Sequence, residues 1–399
     1  MSTDRLRLAL VGLGPRGVGG WLGCIGLVPR AELVAVCDRH PALLADGARR
    51  AGLPERDATT DLDDVLARPD VDAVVICVAP ELQADLAVRS LEAGKAALCE
   101  VPLCFTLDDC WRIVLAAERS DRVLALGEQV CHAGFVNAWR ALRANGALGR
   151  VLYAEAEYHH GIPSDWYWVS ARTGKAISWE DAARVPDATR TRFWRMRHPA
   201  WYNPHSLSPL LRVLDDRVES VVCLSTGAPS SVLPELDAAD LEVALVRTAG
   251  GTVVRISTAF VAPAAHPWHW YRVLGTEGEV QTTRESEHGV PDGSGLEWYA
   301  TDASPARRQV TWSNAEHQRN AALAAASGHQ GLDFSALEDF VEAVLDDRPP
   351  TVDVYRAAEI AAVGILAGRS ADDGGTVYAV PDFRPGAERL AGRAPSARG

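Results

Sequence analysis

The chain opens with Leu6-Arg7-Leu8-Ala9-Leu10-Val11, breaks at Gly12-Leu13-Gly14-Pro15-Arg16-Gly17, and returns to an apolar run, Leu33-Val34-Ala35-Val36-Cys37, that ends on Asp38. An apolar strand, a glycine-rich turn, a helix-compatible segment and a second strand closed by a carboxylate fit a βαβ dinucleotide-binding unit. Each glycine answers a steric demand of that unit. Gly12 permits the tight turn, Gly14 lets the backbone approach a pyrophosphate, and Gly17 lets the helix pack closely on the strand. The N–H groups at the helix start then face the phosphates. A lone G-x-G-x-x-G would equally serve an ordinary turn, but here a strand precedes it. Asp38 also falls about 20 residues further on, where a ribose contact is expected. The whole turn, Gly12 with Leu13, Gly14, Pro15, Arg16 and Gly17, is therefore assigned to a dinucleotide. Asp38 favours NAD, because a carboxylate accepts from a free 2′-hydroxyl and repels a 2′-phosphate. Arg39 beside it keeps NADP open.

The bulk composition narrows the surroundings. At 399 residues the chain is too long for one ordinary core and suits two domains. Apolar residues at 47% and charged ones at 23% are those of a folded globular protein. A formal charge of −13 argues against nucleic acid or an anionic membrane as partner, since either would want a basic surface. Eight cysteines in such a length, without paired C-x-x-C spacing, are not a disulfide framework. Cys37, Cys77 and Cys99 lie in apolar runs, where a reduced cysteine acts as a small hydrophobe. No charged-then-apolar leader opens the chain, and no run of about 18 apolar residues offers a membrane span. A reduced, cytoplasmic protein is expected.

Further along, the pattern predicts helices over His40–Ala51, Asp61–Ala67 and Glu81–Ala93, the last closing on Gly94. Strands are predicted over Val71–Ala79, Lys95–Cys99 and Val123–Leu126. Thr106, with Asp109 three residues on, opens a further helix as a capping box. This alternation defines an α/β, Rossmann-type doubly wound parallel sheet over residues 1–130. Ligands bind such sheets beyond the carboxyl ends of the strands. That rule assigns Cys77, Val78, Ala79 and Gln83 to the cofactor after one strand, Glu100, Val101 and Pro102 after the next, and Gln129 after the last. Past a helix that leads to Gly149, strands follow over Val151–His159, Ser220–Ser225, Leu241–Thr248, Thr252–Phe260, Trp270–Leu274 and Glu279–Thr283. Gly250–Gly251 turns one hairpin, and two helices, Asp333–Leu345 and Val352–Ala367, finish the fold. Residues 131–383 thus read as an α+β domain with a mostly antiparallel open sheet. Residues 384–399, rich in Pro, Gly, Ala and Arg, read as a disordered tail.

Between Gly161 and Arg190 no periodicity is clear, yet the segment carries Trp166, Tyr167, Trp168 and Trp179. Trp194, Trp201, Tyr202, Trp268 and Trp270 follow. Aromatic faces stack on sugar rings, with polar groups fixing the hydroxyls. The same rings would also serve a second core or an interface between subunits.

These residues resemble the glucose–fructose oxidoreductase/inositol dehydrogenase (Gfo/Idh/MocA) family. The likeness rests on the glycine turn, the late antiparallel sheet and the Glu-x-Pro turn at Glu100–Val101–Pro102. Members usually carry Glu-Lys-Pro, with the lysine beside the nicotinamide; here Val101 takes its place. The family's Thr-Pro-Asn-x-x-His becomes Val78-Ala79-Pro80-Glu81-Leu82-Gln83, and its Asp-x-Gly-x-His motif is missing. These departures resemble one branch, the NAD-dependent α-N-acetylgalactosaminidases. Glu-Val-Pro followed by Thr106-Leu107-Asp108-Asp109-Cys110-Trp111 is similar to that branch, as are Trp194-Arg195-Met196-Arg197-His198 and Tyr202 through Pro209. Its His-x-Gly-x-Asp signature matches His329, Gly331 and Asp333. Asn203 and Pro204 scramble the branch's Tyr-Pro-x-His element, so acetamido-sugar specificity does not carry over.

The resemblance implies redox-neutral cleavage of a glycoside. NAD⁺ takes a hydride from C3, the ketone acidifies the C2 proton, the C1 substituent is eliminated, water adds and the hydride returns. Such a scheme does not use the paired carboxylates of ordinary glycosidases. With no lysine at position 101, Tyr202 and His205 become the acid/base candidates. Three residues apart, they share a side if they open a helix. In that reading Tyr202 takes the C2 or C3 proton and His205 is its partner. The plainer alternative has Tyr202 packing and His205 capping a helix. Substrate contacts are assigned to Glu128, Trp166, Trp168, Arg195, Arg197, His198 and His329. Against this, Arg197 could pair with a surface carboxylate and His329 could sit in a loop before a capped helix. No histidine group has metal-ligand spacing, so no metal is expected. A net sugar dehydrogenase or keto-sugar reductase and a non-catalytic NAD- or sugar-sensing protein are the competing functions. The partner expected is a small carbohydrate or glycoside, and the resemblance implies a homodimer or homotetramer through the late sheet.

Overall fold

The computed structural model describes residues 5–160, 167–261, 269–284, 296–300, 307–310 and 312–386, with the backbone alone for Arg192, Arg195 and the segments 296–300 and 307–310. The first apolar runs become six strands: β1 (Leu6–Val11), β2 (Ala31–Cys37), β3 (Ala58–Thr59), β4 (Ala73–Ile76), β5 (Ala96–Cys99) and β6 (Leu124–Leu126). They form one parallel sheet in the order β3-β2-β1-β4-β5-β6. Their near-continuous apolarity follows from helices covering both faces. Those helices are α1, a π-helical turn Gly17–Leu22 that runs into Gly23–Leu27, then α2 (Pro41–Ala51), α3 (Leu62–Leu66), α4 (Pro80–Glu92) and α5 (Leu107–Ser120). Thr106 caps α5 by accepting the Asp109 N–H at 3.0 Å. Gly94, at φ +77°, ends the turn after α4. Strand β4 is shorter than the apolar run suggests, because the chain leaves the sheet at Cys77 to pass over the glycine turn.

After α6 (Gly134–Ala144) the architecture changes to a nine-stranded sheet in the order β17-β16-β15-β14-β7-β13-β12-β11-β18. Its members are β7 (Val151–His159), β11 (Val218–Ser225), β12 (Leu241–Thr248), β13 (Val253–Ala259), β14 (His269–Gly275), β15 (Gly278–Gln281), β16 (Leu296–Ala300), β17 (Arg307–Val310) and β18 (Tyr378–Ala379). Every pair is antiparallel except β7 with β13. The aperiodic Trp-rich stretch supplies a separate small sheet, β8 (Trp168–Ser170), β9 (Ala176–Ile177) and β10 (Ala188–Arg190), in the order β10-β8-β9, with the short helix α7 (Trp179–Ala182) between its last two strands. Strands of two or three residues are too short to show alternation, which is why the sequence does not announce them.

Four more helices follow: α8 (Pro204–Leu214), α9 (Ala321–Ala324), α10 (Leu332–Leu345) and α11 (Val354–Asp372). Helix α10 lies late in the chain, yet Phe334, Leu337, Phe340 and Val341 join Leu8, Leu10, Trp21 and Ile25 in one core beneath the first sheet. The residues before α11 add an edge to that sheet, the Leu126 N–H donating to the Val352 carbonyl at 3.1 Å. The two sheets are thus laced together by the end of the chain. Of the expected tail, Arg384 is ordered against Glu359 at 3.1 Å, and 387–399 lie outside the described residues. No described helix is long and apolar enough to cross a membrane.

Candidate functional site

Where β1 and β4 part, the glycine turn meets the chain leaving β4. Gly12 has φ +96°, and a Cβ there would lie 2.1 Å from the Cys77 carbonyl oxygen. A Cβ on Gly17 would lie 2.0 Å from the carbonyl oxygen of Gly12, so the helix can start at this depth only without a side chain. Gly14 differs: its Cβ position has nothing within 4 Å and opens into a cavity of about 1310 Å³. Asp38, buried at the end of β2, is aimed by two backbone donors. The Leu13 N–H reaches Oδ2 at 2.8 Å and the His40 N–H reaches Oδ1 at 2.8 Å. The cavity runs from Asp38 and Arg39, past Gly14, Cys77, Val78 and Ala79, to Glu100, Val101 and Gln129. It ends on Tyr158, His160, Tyr202, His205 and His269.

Under the turn lies a buried ionic network. Arg16 gives its Nε to Glu100 at 2.8 Å and grips Asp333 with both terminal nitrogens at 2.7 and 2.8 Å. Trp21, fully buried, donates to the same Glu100 oxygen at 2.6 Å, and His329 Nδ1 lies 2.9 Å from Asp333. Burial works against the Asp333 carboxylate, but the Arg16 charge outweighs it and holds that group well below the usual carboxylate range. Asp333 follows the helix start at Leu332 and serves Arg16; it does not cap α10. The match His329–Gly331–Asp333 therefore marks a tie between the last helices and the glycine turn.

At the other end, Tyr202 closes the 3₁₀ turn Pro199–Tyr202 and His205 is the second residue of α8, with ring centroids 6.3 Å apart. His205 Nδ1 lies 2.9 and 3.2 Å from the two oxygens of Glu128. Glu128 also accepts the Val130 N–H at 3.0 Å and is fully buried. Burial disfavours the imidazolium, the facing carboxylate favours it more, and His205 is lifted above its ordinary value. Burial first, then the charges of Tyr158 and Glu100, push the Tyr202 phenol well up, so it holds its proton. Tyr158 stacks on His269 at 4.6 Å and stands edge-on to His205 at 5.2 Å. Burial drives His269 well below its ordinary value, leaving it neutral. The chain has two lysines, and neither lines this space: Lys95 is tied to the carbonyls of Arg68 and Val71 at 2.8 and 2.7 Å, at the opposite edge of the sheet, and Lys175 lies outside the lining.

Several residues expected at the site stand elsewhere. Leu13 is buried behind the turn, and Gln83 donates to the carbonyls of Glu100 and Pro102 at 2.8 and 2.6 Å, so both residues and Pro102 shape the wall without lining it. Glu128 sits behind His205, where it orients the ring and does not face a ligand. Trp168 packs edge-on against Trp179 and Trp194, a second small core. Arg197 is on the surface with Asp237 and Asp372 at 3.2 and 3.4 Å. His198 is buried against Glu242 at 2.8 Å. Trp166 and the Arg195 side chain lie outside the described residues. Sequence reasoning missed Tyr158, His160 and His269. Alternation along β7 would have found the first two, since Ala154, Ala156 and Tyr158 share its inner face. Among the described residues no group of His, Cys, Asp or Glu could hold a metal ion.

The cavity accepts a dinucleotide on its own evidence. Gly14 leaves room for close backbone approach, and Asp38 offers an oriented carboxylate. Gln129 presents an Oε1 that is buried on the lining without a hydrogen-bond partner. Residues 6–128 match the model for the Gfo/Idh/MocA oxidoreductase family, NAD-binding Rossmann fold, so the first domain defines an NAD-binding oxidoreductase architecture. Residues 229–388 match the C-terminal domain of glycosyl hydrolase 109. The chain thus matches a Gfo/Idh/MocA Rossmann domain in its first part and the C-terminal domain of glycosyl hydrolase 109 in its last. A glycosyl hydrolase family 109 protein of Shewanella pealeana is 26% identical over 97% of this chain and 87% of its own length. One of Porphyromonas gingivalis is 24% identical over 96% and 86%. Among solved structures, levoglucosan dehydrogenase in complex with NADH superposes with a TM-score of 0.74 at 19% identity, covering 95% of this chain and all (100%) of that one. Aldose–aldose oxidoreductase of Caulobacter crescentus, complexed with glycerol, gives 0.70 at 19% identity, over 94% of this chain and 100% of that one. The two structural matches carry the fold.

Proposed function

We propose that this chain is an NAD-dependent glycosidase that cleaves its substrate without net change of redox state. The observation that carries the proposal is the end wall of the cavity. Tyr202 and a His205 backed by Glu128 face the space beside Val101, where an amine would otherwise handle protons. When bound, NAD⁺ supplies reversible hydride exchange with a ring carbon of the sugar, which makes the neighbouring proton acidic enough to remove. Gly12, Gly14, Asp38 and Gln129 would hold the dinucleotide. The raised phenol alters the division of labour expected from the sequence. His205 is the proton acceptor, its imidazolium stabilised by Glu128, and Tyr202 is the donor. Tyr158 and the neutral His269 wall the site and keep water from His205. Redox-neutral turnover also suits the small sheet, which covers the cavity with Ser170, Ala171, Gly174 and Ala176 and would retain the cofactor between cycles.

Incubation of the purified protein with aryl glycosides tests the reading. Aglycone release without lasting NADH absorbance supports it. Stoichiometric NADH would favour a net sugar dehydrogenase, a reading to which the levoglucosan dehydrogenase likeness lends weight. Neither signal, with tight NAD binding, would leave a sensing protein. The eight cysteines, all free and buried, suit a reducing cytoplasm. Exposed Leu224, Leu245 and Val253 on one face of the late sheet suit a homo-oligomer.

A further inference from the structure

The proposed cleavage reading leaves the substrate class open, and one side chain narrows it. Arg190 ends strand β10 and lines the cavity. Its guanidinium lies 4.1 Å from the ring centroid of Trp194 and 5.8 Å from that of Trp168. Trp194 is itself fixed, donating to the Tyr167 carbonyl at 2.8 Å and stacked on Trp179 at 5.5 Å. The two indoles thus fix the cation from one side, and among the described residues no hydrogen bond occupies its donors. Among the described residues no carboxylate pairs with Arg190. Of the lining arginines on the first domain, Arg16 is consumed by Glu100 and Asp333 and Arg89 is paired with Asp63, while Arg39 stands beside Asp38 with its Nε on His40 at 3.4 Å, at the far end from Tyr202.

The position of Arg190 along the cavity says which ligand it meets. In the small sheet, Arg190 is in register with Trp168, while Ser170 pairs with Ala188 at the other end. Beyond Ser170, Gly174 packs against His40 and Leu43, next to Asp38. Beyond Arg190 comes Phe193, whose ring lies 6.2 Å from that of Tyr202. The ribbon therefore spans the cavity lengthwise, with its Gly174 end over the ribose contact and Arg190 at the catalytic end. Resting on the cleavage reading above, we infer that Arg190 is a specificity residue for an oxyanion on the substrate, a carboxylate or phosphate carried by the glycoside. A planar guanidinium engages either through two parallel hydrogen bonds.

The test compares 4-nitrophenyl uronides and hexoside 6-phosphates, in both anomers, with the matching neutral hexosides, using the full-length NAD-loaded enzyme. The wild type is expected to prefer one oxyanion class, which identifies the group. Arg190→Gln should lower kcat/KM for that class about 10- to 100-fold, mostly through KM, with partial recovery in Arg190→Lys. A ratio of charged to neutral substrate that Arg190→Gln does not move would overturn the inference. So would a loss confined to NADP affinity, measured by quenching of protein fluorescence, because the anion would then be the cofactor's. Should no glycoside be cleaved, the cleavage reading fails but Arg190 is still tested. Uronic acids and hexose 6-phosphates titrated calorimetrically into NAD-loaded protein should bind about 10-fold more weakly to Arg190→Gln, and equal binding refutes its role.

Discussion

His205 owes its basicity to one buried carboxylate. With Glu128 in place its proton affinity is raised; without it, burial would be opposed only by the smaller pull of Glu100 and would push it down. If neutral His205 is the working base, the acid limb of the kcat/KM profile should move to lower pH in Glu128→Gln, with a lower maximal rate. An unmoved limb would reduce Glu128 to a packing residue. Tyr202→Phe should cut kcat by about 10²- to 10⁴-fold while NAD still binds, as equilibrium titration would record. At this scale the sequence was most readable where geometry leaves no choice. Gly12 and Gly17 stand where chain reversal and close packing leave no room for a side chain, Gly14 opens on the cavity, and Asp38 ends β2 as a carboxylate held by the Leu13 and His40 N–H groups. The phenol's protonation was not readable, because it depends on burial contributed by Tyr158 and other elements distant along the chain. Arg197 and His198 misled for the same reason: a motif gives spacing, whereas their carboxylate partners come from Asp237, Asp372 and Glu242.

Among elements, the start of α1 and the start of α10 form a unit. Asp333→Asn should cost about 3–5 kcal/mol, since it leaves Arg16 half-buried with part of its charge unanswered. Because the folded Asp333 carboxyl titrates below its ordinary value, its contribution is complete above the unfolded-state pKa of about 3.9 and is lost as pH falls toward the depressed value. Urea denaturation should therefore separate wild type from variant clearly at pH 7 and less so near pH 3. The long elements were visible in the sequence, as Val151–His159 and Leu241–Thr248 illustrate, because seven or more residues establish a period. The small sheet was not, since its strands are held by partners such as the Thr191 N–H on the Tyr167 carbonyl at 2.8 Å, with no repeating pattern to betray them.

In the whole molecule, the closing helices make the two sheets one cooperative body. Phe340 is wholly buried in the core of the first sheet although it follows the second, so Phe340→Ala should cost about 3–5 kcal/mol. Fluorescence and circular dichroism should report one shared transition; two separated transitions would contradict that coupling. Leu224→Lys with Leu245→Lys should reduce the particle mass seen by light scattering if the late sheet is an assembly face, and an unchanged mass would dismiss it. The placement of the two lysines has a chemical corollary. Among the described residues no lysine lines the cavity beside Val101, so a carbonyl sugar formed there should not be captured as a Schiff base. Borohydride added during turnover should accordingly yield reduced free sugar and leave the protein's mass unaltered.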